Sequence, residues 1–551
     1  MRTNPITTEI SQIQSLLRNG RVLQAFNKSK KAAKKWPKVA AFPRLSGIIA
    51  VNQNRQTVAK THFKRAWQLA PTQPEYVQNY GLSLLQSNEP DAVLDIVRKA
   101  EEASALPSML LQLRAMAQFR KRDDRDALES LEQSLQIDPD FLDSKILLID
   151  VLQELRRNDE ALQTARELTQ SHPKLASTHL RLAKMLVAVG DFKSAPTHAK
   201  LASELNPSHG ESLRFWAELP ELPLSHRDQI GAQIAANLNT SSASNIDRAM
   251  AHFGAASIAR SAGNLTYEMQ HLSKGHKIVA EGQKDPAPKA NRILKQRLAE
   301  SQIQRPFIGD SVEPQPVFVV GLPRSGTTLV DQIVSAHSSV TSMGELISVM
   351  RWVDNFEAST PWPQHVTHFE GFYRRNLHGV PQGAKAVVDK MPGNYAHLGL
   401  IARAFPTSPI LNVRRDPRDV ALSIWRQAFM AEGMAYSHRL EWIAAEANRY
   451  QAYMQNWHKL LPDRILDVQY EQLVNDPDNL VRRISSHCGL SFEAAMLQPH
   501  RNLNPVQTAS QIQVRRPINA KSIGGWKKAE TWLQPFIRRL DMDLWGHLLQ
   551  P

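Results

Sequence analysis

The 551-residue chain has a single cysteine, Cys488, which excludes an internal disulfide and any cysteine-based zinc cluster. Glycine is scarce: 24 residues, where roughly 7% is ordinary, a shortage that favours helix. Long apolar runs are missing as well. Stretches such as 47–51 and 317–322 fall far short of the ~20 residues a membrane-spanning helix needs. The first thirty residues hold no apolar core of the kind that marks a secretory signal. These absences predict a soluble, cytoplasmic protein with no transmembrane segment. Positive charge, by contrast, is plentiful. Sixty-seven Lys and Arg stand against 53 Asp and Glu, and the net charge of +14 favours anionic partners.

The N-terminal half is periodic. Prolines fall at 37, 71, 107, 139, 173 and 207, with spacings of 34, 36, 32, 34 and 34. Twelve residues before five of them lies an alanine: Ala25, Ala59, Ala127, Ala161 and Ala195. Before Pro107 the alanine, Ala92, is one residue out of phase. A helical hairpin accounts for both features, since a small residue lets two helices approach and proline ends the second of them. The pattern resembles a tetratricopeptide array over residues 8–210. Residues 211–285 are expected to form a further helical cap, with a helix pair near 246–262 and 267–281. The proline-rich stretch 286–316 is expected to be a linker. Arrays of this kind bind peptides or partner proteins, so a protein partner on the concave face is expected and nucleic acid is not.

Chemistry is concentrated after residue 316. In VFVVGLPRSGTTLV, residues 317–330, a buried-strand run meets a glycine-bearing turn and then a helix, the arrangement that aims free N–H groups and a helix dipole at an anion. Arg324 adds charge, while Ser325, Thr327 and Thr328 add hydroxyls around Gly326. A Walker A loop needs Lys after its second glycine; here position 327 is Thr, which argues against an NTPase or kinase. In PILNVRRDPRDVALS, residues 409–423, a second strand leads to Asp416 as N-cap and Pro417 as first helical residue, with Asp419 set to complete a capping box. Arg415 at the strand's carboxyl end and Ser423 on the helix are placed to hold one phosphate together.

Together these two segments resemble the sulfotransferase family, the first its 5′-phosphosulfate loop and the second its 3′-phosphate motif. Gly344-Glu345, 21 residues after Arg324, and Asp389-Lys390-Met-Pro are similar to segments of the tyrosylprotein sulfotransferase branch. Tyr470, Arg516 and Ser510 also fall in segments similar to that branch. The resemblance covers about residues 316–548 and, with the repeats, is closest in layout to bacterial tetratricopeptide-containing sulfotransferases. It implies an α-solenoid followed by a P-loop-like α/β domain, residues 317–551, with a mainly parallel sheet.

The resemblance also implies a donor, 3′-phosphoadenosine 5′-phosphosulfate, and a metal-free transfer of its sulfuryl group to an acceptor hydroxyl. Glu345 would be the general base; Lys390, Arg324 and Ser510 would stabilise the transferring group. Arg324, Ser325, Gly326, Thr327 and Thr328, with Arg415, Ser423, Tyr470, Arg516 and Lys527, would bind the nucleotide. All of these expected donor contacts lie after residue 316. Three departures stand out: no membrane anchor, no disulfide cysteines, and Gln427 where the branch has a further nucleotide-binding Arg. The acceptor stays open among peptide tyrosine, glycan and small phenol. His337, His397, His438 and His458 are rival bases, and a scaffold that binds nucleotide without turnover is the alternative of another class.

Overall fold

The computed structural model describes residues 4–53, 55–240, 243–301, 313–356, 366–502 and 511–546. The chain divides into two compact units, 1–171 and 172–551. The first is built of antiparallel helix pairs, and the proline comb explains their ends. Helices Val22–Lys35, Gln56–Leu69, Asp124–Ile137 and Asn158–Ser171 each stop two residues before a comb proline. Pro107 differs: it caps the start of helix Ser108–Arg120, six residues after helix Pro90–Glu101 has ended. The alanine comb is core. Ala25, Ala59, Ala127 and Ala161 are all fully buried, and where Ala92 slips out of phase Val93 takes the buried place.

The second unit opens with the same motif. Helix Ala195–Leu205 ends two residues before Pro207, and Ala195 is again fully buried. Helices Gly210–Glu218 and Leu224–Asn239 flank the break at 219–223. The expected later pair is present as Asn245–Ser261 and Leu265–Ala280. Within the stretch expected to be a linker, residues 287–301 are helical, and Leu294 and Leu298 pack against the core of the α/β portion.

That portion is a five-stranded sheet, β1 Gln315–Gly321, β2 Val340–Ser342, β3 Ala386–Asp389, β4 Ile410–Arg414 and β5 Ile465–Gln469, in the order β2-β3-β1-β4-β5. Every pairing is parallel, so the fold is a TPR-like solenoid followed by a parallel α/β domain. Phe318 is in register with Asp389 on one side and Ile410 on the other. The connection out of β1 runs toward the β2 edge and that out of β4 toward the β5 edge, so the crevice between β1 and β4 is the switch point where such sheets bind ligands. The sheet is buried on both faces, as parallel sheets must be. Val317 and Val319 pack with Val330, Ile333 and Ile484. Phe318 and Val320 share the other core with Trp425, Trp442 and the 245–280 helix pair, through Met250, Phe253, Met269 and Leu272.

The close approach of the repeat helices sets a testable cost. A Cβ on Gly47 would lie 2.5 Å from the ring of Phe63, itself buried. Ala is the better helix former by about 1 kcal/mol, whereas overpacking a filled core costs about 1–3 kcal/mol. Gly47→Ala is therefore expected to lower the denaturant midpoint of the N-terminal unit. An unchanged or raised midpoint would mean that Phe63 moves aside freely.

Candidate active site

The loop after β1 is shaped by two glycines. At Gly321 a Cβ would sit 2.6 Å from the Val413 carbonyl oxygen, so only glycine lets β1 end this close to β4. Gly326, at φ 111°, opens helix Thr327–Val334, and its missing Cβ would lie 2.6 Å from the Tyr470 ring. Between them Arg324 adopts φ 72°, a conformation that costs a non-glycine residue about 1–2 kcal/mol. That turn presents the Arg324 carbonyl to the Arg415 guanidinium, which donates to it at 3.3 Å. Ser325, Thr327 and Thr328 are buried in the loop, and the Ser325 hydroxyl has no hydrogen-bond partner among the described residues.

The two phosphate-type motifs meet. Arg324 donates from Nε to Ser423 Oγ at 3.1 Å and from its terminal nitrogen to Gln513 Oε1 at 2.8 Å. Arg415 donates to the Ser522 carbonyl at 2.6 Å and lies over the Tyr470 ring, 4.6 Å from its centroid. Tyr470 OH and Ser522 Oγ are 2.8 Å apart, which ties the same turn to the ring. The Arg415 Nε is buried and without a partner among the described residues. Burial first, then the Arg415 and Arg260 charges, push the Arg324 guanidinium down to about 10. A buried cation beside other cations signals a site completed by an anion.

These residues line a cleft of about 500 Å³. Among the described residues its basic groups are Arg260, Arg324, Arg415, Arg426, Arg516 and Lys521, against one carboxylate, Asp419. Asp419 is committed elsewhere: it accepts from the backbone N–H groups of Gly524 at 2.7 Å and Trp526 at 2.9 Å. The expected capping box therefore gives way to a clamp on the late turn, and Asp416 alone caps the helix, accepting from Arg418 N–H at 2.8 Å. Trp526 is buried in the core beneath Arg418, whose guanidinium stands 3.7 Å from its ring centroid.

Glu345 and Lys390 form a second centre. The backbone brings them together, with Met343 N–H donating to the Val388 carbonyl at 2.7 Å and Lys390 N–H to the Gly344 carbonyl at 2.9 Å. Lys390 Nζ then donates to Glu345 Oε1 at 2.5 Å. The Lys390 side chain is 1% exposed and Glu345 44%, so the couple is buried at the ammonium and open at the carboxylate. Behind it Asp389 is fully buried and receives the Tyr373 hydroxyl at 3.0 Å. Burial pushes the Asp389 carboxyl up to about 7, against the opposing pull of the Tyr373 hydrogen bond and the Lys390 charge.

The remaining expected residues are more scattered. Arg516 lines the cleft and pairs with Glu221 at 3.3 Å. Lys527 is exposed in the short turn Gly525–Ala529, while Lys521 lines the cleft. Ser510 lies outside the described residues. None of the described cleft-lining residues is a histidine. His438 faces His276, His397 faces Arg297, His458 pairs with Asp467, and His337 faces Ser491. Sequence reasoning missed Arg260, Arg426 and Lys521, which stand in no local motif, and Gln513, which opens the segment that carries Arg516. Among the described residues no group of three or more His, Cys, Asp or Glu side chains is arranged to hold a metal, and no helix is long and apolar enough to cross a membrane.

The C-terminal portion is thus a parallel α/β domain with an arginine-lined cleft at its switch point. Residues 316–494 match the model described as the sulfotransferase family, and residues 122–184 match a tetratricopeptide repeat model. The chain thus carries a tetratricopeptide region and a sulfotransferase-family domain. It is 27% identical over 456 residues to an uncharacterized protein of Aquifex aeolicus, covering 78% of this chain and 58% of that one. Protein-tyrosine sulfotransferase 1 of Danio rerio is 24% identical over 277 residues, 44% of this chain and 76% of the relative. Protein-tyrosine sulfotransferase 2 of Gallus gallus is 24% identical over 251 residues, covering 39% and 64%. The chain spans less than two thirds of the Aquifex relative's length.

Asp389 sets a pH dependence. Its pKa is raised from 3.8 to about 7 in the folded state, so the native chain holds a proton that the unfolded chain has lost. Between about pH 4 and 7 stability falls as pH rises, by an amount of order 2–4 kcal/mol. Asp389→Asn, which keeps the shape of the neutral acid, is expected to flatten this slope in urea denaturation measured from pH 4 to 8. Parallel pH profiles for the two proteins would show that Asp389 is ionised throughout.

Proposed function

We propose that the α/β domain transfers a sulfuryl group from 3′-phosphoadenosine 5′-phosphosulfate to an acceptor hydroxyl, with the repeats selecting or presenting the acceptor or binding a partner. The observation that carries this reading is the convergence of Arg324, Ser423 and Arg415 in one cleft. The buried, unpartnered Ser325 Oγ and Arg415 Nε suit a phosphorylated ligand with more than one anionic group. When bound, this donor supplies an activated sulfuryl group on a phosphate leaving group.

The chain's own residues have distinct tasks. The 323–328 loop, with Arg324, Ser325, Thr327 and Thr328, holds the 5′ end through backbone N–H groups, hydroxyls and charge. Arg415 and Ser423 hold the 3′-phosphate, and Tyr470 keeps Arg415 in place beneath it. Arg516, Lys527 and Ser510 complete the binding and stabilising set. At the second centre, the open carboxylate of Glu345 takes the acceptor's hydroxyl proton as its oxygen bonds to sulfur. Lys390 places positive charge where the bond to the leaving phosphate breaks. Peptide tyrosine is the acceptor class to test first, given what the relatives are named for, with glycan and small phenol beside it. A nucleotide-binding scaffold would keep the cleft but has no use for the Glu345–Lys390 couple.

Two measurements test this. Glu345→Gln is expected to lower turnover about 10²–10⁴-fold with donor affinity nearly constant. Undiminished turnover would pass the base role to another group. In calorimetry, adenosine 3′,5′-bisphosphate is expected to bind the wild type about two to four orders of magnitude more tightly than AMP, because two charged contacts of roughly 1.5–3 kcal/mol each serve only the 3′-phosphate. Arg415→Ala with Ser423→Ala should remove most of that preference. Equal binding of both nucleotides by the wild type would overturn the sulfotransferase reading.

A further inference from the structure

Arg260 belongs to helix Asn245–Ser261 in the helical region that precedes the sheet, yet it lines the same cleft as Arg324, Ser423 and Arg426. The placement is built in. Helices 245–261 and 265–280 share one hydrophobic core with β1 and with Trp425, so the end of the first helix is fixed against the cleft wall. His276 strengthens this seat, stacking on the Trp425 ring at 3.8 Å between centroids and bonding the Trp425 carbonyl at 2.8 Å.

The charges around Arg260 do not balance. Two carboxylates act on it: Glu218, which pairs with Arg214 at 2.6 Å, and Glu268, which is buried and committed to a two-pronged pair with Arg426 at 2.7 and 3.1 Å. Arg260 stands 3.9 Å from Glu268 and reaches Ser257 Oγ at 3.4 Å, so neither contact is a strong one. The Arg260 side chain is 38% exposed at the cleft, and after burial and the Arg415 charge its own charge helps lower the Arg324 pKa. Arg260, Arg324 and Arg426, from three segments, thus line one cleft, and Glu268 is shared by Arg260 and Arg426. A purely structural ion pair would bring Arg260 onto Glu268; an anion site keeps it apart, aimed at the ligand.

We propose that Arg260 is a phosphate-binding residue of the nucleotide site, holding the 3′-phosphate together with Ser423 and Arg415, so that the 245–280 helix pair forms one wall of the donor site. This rests on the reading of the cleft as a 3′-phosphonucleotide site. The assignment to the 3′-phosphate follows from its neighbours, since Arg260 lines the cleft beside Ser423, Arg426 and Gln427, the end of the helix that carries the 3′-phosphate motif.

The test uses the full chain, with adenosine 3′,5′-bisphosphate and AMP as calorimetric probes. Arg260→Ala and Arg260→Gln are expected to weaken the bisphosphate about 10- to 100-fold and to leave AMP within about twofold, with Arg260→Lys recovering part of the loss. If both variants bind the bisphosphate as the wild type does, while Arg415→Ala with Ser423→Ala loses it, the inference is wrong and the function stands. Equal weakening of both nucleotides overturns the 3′ assignment. A wild type without preference for the bisphosphate defeats the underlying function instead. Should the variants fold poorly, dicarbonyl modification of the wild type decides by mass spectrometry. The bisphosphate should protect Arg260 and AMP should not; equal labelling in its presence and absence overturns the proposal.

Discussion

Buried positive charge at the carboxyl ends of β1 and β4 is the constraint on which the rest of this structure depends. Arg324 is taken out of water in a strained backbone conformation, with the charges of Arg415 and Arg260 beside it. A guanidinium in that setting is tolerable only where neutral acceptors satisfy its donors and a ligand completes the charge. Ser423 and Gln513 meet the first need. The surrounding parts then follow. Two glycines let the loop pass under Val413 and Tyr470, Arg415 grips the loop's backbone, and Asp419 spends its carboxylate on the 524–526 turn rather than on the cleft.

The Glu345–Lys390 couple is organised on the opposite principle. Its charges cancel, and the cost of burying Lys390 is offset by the contact itself. Its position comes from main-chain bonds between 343–344 and 388–390 rather than from side-chain packing, so both groups ride on the strand ends. The neutral-leaning Asp389 behind it keeps a second full negative charge from competing for the lysine. The cleft gathers guanidiniums from several segments, whereas this couple pairs one cation with one anion.

The helical region preceding the sheet is more than an appended binding module. Its last helix pair contributes Met250, Phe253, Met269 and Leu272 to the core of the sheet, and Glu268 to the buried pair with Arg426. The core of the α/β domain therefore extends back into helices expected, by their sequence, to cap the repeats.

Much of this was legible from residue order, for a physical reason: the features are local. A 34-residue comb of proline and alanine marks helix ends and close approaches, both decided within one hairpin. A strand, a glycine turn and a helix start are decided within fourteen residues, as are Asp416 and Pro417 at the start of their helix. Where a local rule competed with distant partners it lost: Asp419 left its own helix end for Gly524 and Trp526. Arg260 stands 64 residues before Arg324 in an ordinary amphipathic helix, and nothing within its own turn distinguishes it from a solvated charge. The sequence by itself determined the helix pairs, the parallel strands and the two phosphate-type motifs, because those depend on neighbours in the chain. Only the tertiary structure decided which charges share the cleft, because burial and uncompensated repulsion are properties of the packed core.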